Sequence, residues 1–288
     1  MTRWLVTGAG GALGQDLLAA LTGMQAEVVG LDRRSLDITD AAAVEKTLDE
    51  AHPDVVLNAA AYTRVDDAER HEEEAARVNA DGPGHLARWC AANGSRLIHV
   101  STDYVFPGDA HTPYETDAAT GPSGAYGRTK LAGERAVLEA NGDCHVVRTG
   151  WLYGAGGPSF IRAVGRRLTA GETVDVVTDQ RGAPTWTRDL ALRLIALGGT
   201  PAPPGVWHCS AAGEATWFDV AVALAEALGV PPTHVRPTTS AAMKRPAPRP
   251  AYSVLSARTW LDAGLPAMPQ WQPALVEAIG EQREALTG

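Results

Sequence analysis

The sequence predicts an α/β chain, a doubly wound parallel sheet carrying a smaller C-terminal lobe, and three observations support that reading. Short continuous apolar runs alternate with helical patterns through about the first 150 residues, as in strands covered on both faces. The first run leads directly into a glycine cluster and then a helix, the opening of a nucleotide-binding βαβ unit. After about residue 150 the composition shifts, with PAPPG (201–205) breaking the chain and a long Pro-rich loop over 237–253.

WLVTGAGGALGQDLLAALTG reads as strand, glycine-rich turn and a helix carrying Leu13, Leu17, Leu18 and Leu21. VVGLD (28–32) is a strand, AAVEKTLDEA (42–51) a helix and DVVLNAAA (54–61) a third strand. A long helix is expected from about Asp67 to Cys90, followed by the strand RLIHVS (96–101), a helix holding Tyr126, and the strand HVVRTGWLY (145–153). In the second half Thr216 is an N-cap for TWFDVAVALAEALG (216–229), and 271–287 forms a closing helix. The acidic run DDAERHEEEA (66–75) reads as a solvated helix face. The expected division is 1–150 for the sheet domain and 151–288 for the lobe, with about 183–210 returning to the sheet.

Composition excludes several classes of function. Hydrophobic residues make up 45% and charged residues 20% of 288, an ordinary globular balance. A net charge of −9 argues against nucleic acid or an anionic membrane as partner. Cys90, Cys144 and Cys209 are odd in number and widely spread, which suits core thiols in a reducing compartment rather than disulfides or a metal site. MTRWLVTGAGG runs straight into the motif and no apolar run reaches bilayer length, so a cytoplasmic protein is expected.

TGAGGALG supplies Gly8, Gly10, Gly11 and Gly14. The spacing that fits is G-x-x-G-x-x-G through Gly8, Gly11 and Gly14, because G-x-G-x-x-G would end on Leu13. A turn without Cβ atoms lets backbone N–H groups and the helix N-terminus meet a pyrophosphate. Asp32 closes the second strand, where a carboxylate accepts ribose hydroxyls or holds a turn. Arg33 and Arg34 follow and suit a 2′-phosphate, so NADH and NADPH both stay open, with NADPH favoured. Asp37 and Ile38 either clasp adenine or belong to the cap of the next helix.

STDYVFPG (101–108) begins where the fourth strand ends, the edge at which doubly wound sheets bind ligands. Thr102 there would hold a carbonyl oxygen, with Asp103 and Tyr104 shaping a polar pocket. In AYGRTKLAGE (125–134), Tyr126 and Lys130 stand one helical turn apart on one face. Alone, that spacing also describes a solvated lysine beside a half-buried tyrosine. Beside a dinucleotide turn and Thr102 it describes an acid and its neighbouring cation.

These residues resemble the extended short-chain dehydrogenase/reductase superfamily, and within it the dTDP-4-dehydrorhamnose reductase family. The resemblance rests on PDVVLNAAAYTRVDDAE (53–69), VNADG (78–82), STDYVFPG, YGRTKLAGE (126–134), RTGWLYG (148–154), TDQRGAPT (178–185) and RPAYSVLS (249–256), in family order. It implies a Rossmann-type domain with a smaller α/β sugar-nucleotide-binding lobe. The implied reaction is NAD(P)H-dependent reduction of the C4 ketone of dTDP-4-dehydro-6-deoxy-L-mannose to dTDP-L-rhamnose. By the same resemblance Tyr126 donates the proton, Lys130 lowers the phenol pKa and holds the nicotinamide ribose, and Thr102 binds the ketone oxygen. Gly11, Ala12, Leu13, Asp32, Asp37, Ile38, Ala60, Ala61, Tyr62, Thr63 and Ser101 fall on cofactor-contact motifs. Thr102, Asp103, Tyr104 and Trp151 fall on substrate positions, Trp151 being open also to a core role. Arg249 would pair with the diphosphate or stand as a solvated loop cation.

Where the family has Asn, Asp or Asn, and Ser, this chain has Tyr252, Ser256 and Gly150. Gln15 and Asp16 occupy the region where some relatives hold a metal through carboxylates, so no metal is carried over. The partner is a dTDP-4-keto-6-deoxysugar and the assembly a monomer or homodimer. Two other readings remain: a reductase of another 4-keto-deoxysugar, such as dTDP-dihydrostreptose synthase, and a non-catalytic dinucleotide-binding regulatory subunit, as in methionine adenosyltransferase.

Overall fold

Five apolar segments, Arg3–Thr7 (β1), Glu27–Leu31 (β2), Val55–Asn58 (β3), Arg96–Thr102 (β4) and Cys144–Thr149 (β5), form the sheet of this computed structural model, which describes residues 2–140 and 142–288. With Gly205–His208 as sixth strand, the spatial order is Gly205–His208, β5, β4, β3, β1, β2, every pairing parallel. The order reverses between β1 and β3, so a crevice opens at their carboxyl ends, where Thr7 and Asn58 stand in register.

One face of the sheet is covered by the helix Ala12–Gly23 (α1), whose Leu13, Leu17 and Leu21 are buried, and by the helix Thr187–Gly199. The other is covered by Ala41–Ala51 (α2), Gly82–Asn93 and Ala125–Glu139, through Val44, Leu48, Leu86, Cys90 and Val137. A separate apolar cluster joins the helices Phe160–Thr169, Trp217–Leu228 and Trp271–Thr287 with a parallel ribbon of Val174–Val177 and Val235–Thr238. Thr216 caps Trp217–Leu228 through a reciprocal bond pattern with Asp219, and Gly229 ends that helix at φ 74°. Among the described residues no helix is long and apolar enough to cross a membrane.

Three expected elements are interrupted. The helix expected from Asp67 to Cys90 is instead Val65–Ala68, Glu72–Ala76, a π-turn at Arg77–Asp81 and Gly82–Asn93. The π-turn carries Asn79, which donates to Tyr62 O and Thr129 Oγ1 and accepts from Tyr62 N. The strand expected to run to Ala61 stops at Asn58, whose side chain accepts the Ala60 N–H and turns the chain. The strand expected over 145–153 breaks at Gly150-Trp151, with Trp151 at φ 53°. Leu152–Tyr153 then pairs with Thr185–Trp186 instead of continuing the sheet.

Candidate active site

At the crevice, β1 runs into the glycine turn. Gly8 has φ 71°, and a Cβ there would meet the Ala59 and Ala60 backbone at 2.6 Å. A Cβ on Gly14 would lie 2.2 Å from Gly8 O, so α1 and β3 close on the turn only because both positions are glycine. Gly11 N donates to Gly8 O and Ala12 opens α1, leaving the helix N-terminus without a side-chain cap. That bare amide terminus suits a diphosphate. Leu13 contributes only its backbone, since its side chain is buried in the core.

Several expected cofactor residues have other work. Asp32 accepts from Ser35 N and Oγ and from Arg34 N and Nε, all 2.9–3.3 Å, which holds its carboxyl below the usual carboxylate range. Asp37 accepts from Thr39 N and Oγ1, while Asp40 caps α2. Ile38 is buried beneath Gly82, so its side chain offers no apolar face to an adenine. Ala60 and Ala61 are partly buried just beyond β3, Tyr62 is buried and Thr63 exposed. Ser101 is buried and donates to Glu134 at 2.5 Å, so it braces the site from beneath rather than facing a ligand.

At the carboxyl end of β4, Thr102 donates to Asp103 Oδ1 at 2.9 Å and accepts from Tyr104 N. Asp103 also accepts from Ser253 Oγ at 2.5 Å, and burial pushes its carboxyl up to about 6. Tyr126 sits edge-on to Tyr104, with ring centroids 5.6 Å apart. Burial raises the Tyr126 phenol to about 12, against the hydrogen-bonding pull of Thr102. Thr102 is thus close enough to act on the Tyr126 phenol. Lys130 does not join them. Its Nζ donates to Val100 O at 2.7 Å and lies 3.3 Å from His99 Nε2, in a buried pocket that lowers its pKa to about 8. The expectation that Lys130 depresses the phenol fails in this arrangement, because burial dominates both groups.

Tyr104 also forms one wall of a cavity of about 470 Å³. Phe160, Trp217 and Met243 also line it, together with Arg167, Arg245 and Arg249. A cavity of this size, with apolar and basic lining, suits a phosphorylated small molecule.

A family model described as the RmlD substrate binding domain matches residues 2–284. The chain belongs to this family. A Streptomyces antibioticus protein, "Probable dTDP-4,6-dihydroxy-2-methyloxan-3-one 4-ketoreductase", is 50% identical over 96% of this chain and 94% of its own length. A dTDP-4-dehydrorhamnose reductase of Streptomyces griseus is 50% identical over 96% and 93%. The crystal structure of a dTDP-4-dehydrorhamnose reductase from Bacillus anthracis in complex with NADP superposes with a TM-score of 0.94 at 33% identity, covering 98% of this chain and all of that one. The relatives are oxidoreductases by name, and this chain is an enzyme of that class.

The departures from the family pattern have local causes in this RmlD-family chain. A Cβ at Gly150 would lie 2.7 Å from the Asp103 carboxyl, so glycine there makes room for the buried acid. Tyr252 is buried with its hydroxyl on Glu214 at 3.0 Å, and Ser256 accepts from Arg258 N, ending the loop. Trp151 stacks on Trp217 at 3.6 Å and covers Gly182, so it backs the cavity wall. Arg249 is neither solvated nor free: its guanidinium makes a bidentate pair with Asp66, both bonds 2.9 Å. Asp16 accepts from Thr187 Oγ1, and Gln15 donates to Gly10 O.

The sequence reading missed Phe160, Trp217 and Arg167, which sit on ordinary amphipathic helices and carry no local signal. It also missed Asn58 and His99, although each is a polar residue within a buried apolar run, and that was a readable signal.

Proposed function

We propose that this chain reduces the C4 ketone of dTDP-4-dehydro-6-deoxy-L-mannose to dTDP-L-rhamnose, with Tyr126 as proton donor and a nicotinamide dinucleotide as cofactor. The observation that carries the reading is the Thr102 hydroxyl beside the Tyr126 phenol, with Tyr104, edge-on to Tyr126, lining the cavity. The glycine cradle, which any Cβ would fill, and the bare α1 N-terminus fit a dinucleotide diphosphate. When bound, the reduced nicotinamide supplies the hydride.

The chain's own residues do the rest. Thr102 fixes the ketone oxygen within reach of Tyr126, converting an encounter into a positioned reaction. As negative charge develops on that oxygen, the phenol gives up its proton. A phenol held near 12 rather than 10 keeps its proton at neutral pH until an alkoxide demands it. Tyr104 and Trp217 enclose the deoxysugar side, and Arg167 and Arg245 face the diphosphate. Residues 151–288, apart from about 183–210, act as the sugar-nucleotide-binding lobe.

Of the two coenzymes, NADPH is the better fit. The Asp32 carboxylate is already engaged by its own turn. Thr39 hydrogen bonds chiefly lower the Asp37 carboxyl pKa, and the charges of Arg33 and Arg77 add to this, which suits a positive rim for a 2′-phosphate. An Arg33→Ala variant is expected to raise KM for NADPH about tenfold, equivalent to ~1.4 kcal/mol, with little change for NADH. Equal changes for both coenzymes would reject this assignment.

A second substrate reading has a specific basis, since a relative named for a different 4-keto sugar matches this chain at the same 50% identity. Turnover of a panel of purified dTDP-4-keto-6-deoxysugars, with products identified by NMR, separates the two. Tyr126→Phe should lower kcat by about 10²–10⁴ while leaving dinucleotide binding intact. Unchanged turnover in that variant would remove Tyr126 from the mechanism, and no turnover of any sugar by the wild type would favour a binding module.

A further inference from the structure

A buried polar chain runs under the site and ends on Lys130. Thr7 Oγ1 donates to Asn58 Oδ1 at 2.7 Å, Asn58 Nδ2 contacts His99 Nδ1 at 2.9 Å, and His99 Nε2 lies 3.3 Å from Lys130 Nζ. Asn58 and His99 are fully buried and Lys130 nearly so. The direction of this chain follows from one backbone amide. Ala60 N–H donates to Asn58 Oδ1 at 3.1 Å, and a backbone N–H has no other role, so the oxygen of Asn58 must face it. The Asn58 Nδ2 group, a donor only, then faces His99. His99 Nδ1 must accept, and the neutral ring carries its proton on Nε2. That N–H points at Lys130, whose Nζ already donates to Val100 O. An ammonium has nothing with which to accept it; a free amine has a lone pair.

We propose that Thr7, Asn58 and His99 favour the neutral amine form of Lys130 in the cofactor-free protein, so that Lys130 is a titrating group and not a permanent cation. Asn58 and His99 are positioning residues acting through Lys130. The surrounding charges allow it. On the lysine's own helix, Glu134 favours the ammonium, but Arg148 of β5 pairs with that carboxylate, with bonds of 2.9 and 2.7 Å, and burial outweighs its pull. Tyr126 lies one turn away, and Asp103 on the β4 side is occupied by Thr102 and Ser253. Burial disfavours the ammonium in the same sense, with a Lys130 pKa near 8 and His99 well below its ordinary value.

The inference rests on the proposed reductase reading of this site, but its test needs no turnover, so failure of one does not imply failure of the other. Lys46, Lys130 and Lys244 are the only lysines in the chain, and ¹³C-lysine labelling of the full protein resolves them. Lys130 should titrate with a midpoint of about 8, well below an ordinary lysine. Long-range ¹H–¹⁵N spectra should show His99 as the Nε2–H tautomer. Asn58→Asp replaces the amide donor by an acceptor, moves the His99 proton to Nδ1, and should raise the Lys130 midpoint by about one pH unit or more. Lys130 titrating with the other lysines, or a wild-type Nδ1–H tautomer, overturns the proposal. Should the variant not fold, those two wild-type measurements decide alone.

Discussion

At the scale of the single residue, Asp103 shows what the site asks of the fold. It is buried, yet it accepts hydrogen bonds from Thr102 and Ser253 and so orients the hydroxyl beside Tyr126. Its carboxyl titrates near 6 in the native chain, against 3.8 ordinarily. Between those values the folded state keeps a proton that the unfolded state has released. Stability therefore falls as pH rises through that window, and the loss is complete above it, at about 3 kcal/mol for two pH units. Asp103→Asn is expected to raise Tm at pH 8, to change it little near pH 4, and to lower kcat by disturbing Thr102. Thermal melts at both pH values test this; an equal Tm change at the two would show that the carboxylate is not the source.

At the scale of the element, the helix Ala125–Glu139 is held by contacts from distant sequence. Glu69 accepts the Ala125 N–H at 2.8 Å, a carboxylate at a helix N-terminus, and Glu72 pairs bidentately with Arg128. The acidic run expected to be a solvated face thus anchors the start of the helix that carries Tyr126, and Asp66 in the same run holds Arg249. Further along, Gly133 packs on the π-turn, where a Cβ would lie 1.9 Å from Asn79 O. Gly133→Ala should destabilise by about 1–3 kcal/mol or more through overpacking. By contrast, Gly280→Ala, in the open interior of Trp271–Thr287, should stabilise by about 0.5–1 kcal/mol. Chemical denaturation of both variants checks the pair, and equal effects would refute the packing account. The same helix marks the limit of sequence reading. Periodicity located it, and the Tyr126–Lys130 spacing placed both residues on one face. The direction of the Lys130 Nζ was not legible, because it depends on Val100 and His99 across the sheet. Likewise the glycine spacing located the dinucleotide turn, but the engagement of Asp32 by its own turn depends on side-chain bonds that no spacing encodes.

At the scale of the whole molecule, the chain does not finish its sheet before leaving it. After β5 it enters the lobe at Leu152–Tyr153, returns with Thr187–Gly199 against α1 and Gly205–His208 against β5, and leaves again. Arg96 fastens the return, donating to the carbonyls of Leu197, Gly198 and Thr200. On the returning helix Leu190, Leu194, Ile195 and Leu197 are buried. At roughly 2 kcal/mol each they contribute on the order of 8 kcal/mol, comparable with the entire stability of a typical domain. A fragment ending at residue 150 therefore lacks the cover over Trp4 and Leu17 and leaves one edge of β5 unpaired. Expressed alone, residues 1–150 should aggregate or remain molten, binding a hydrophobic dye and showing no cooperative melt, whereas the full chain melts cooperatively. A soluble fragment that melts sharply and still binds dinucleotide would mean that the returning segment merely decorates a self-sufficient sheet.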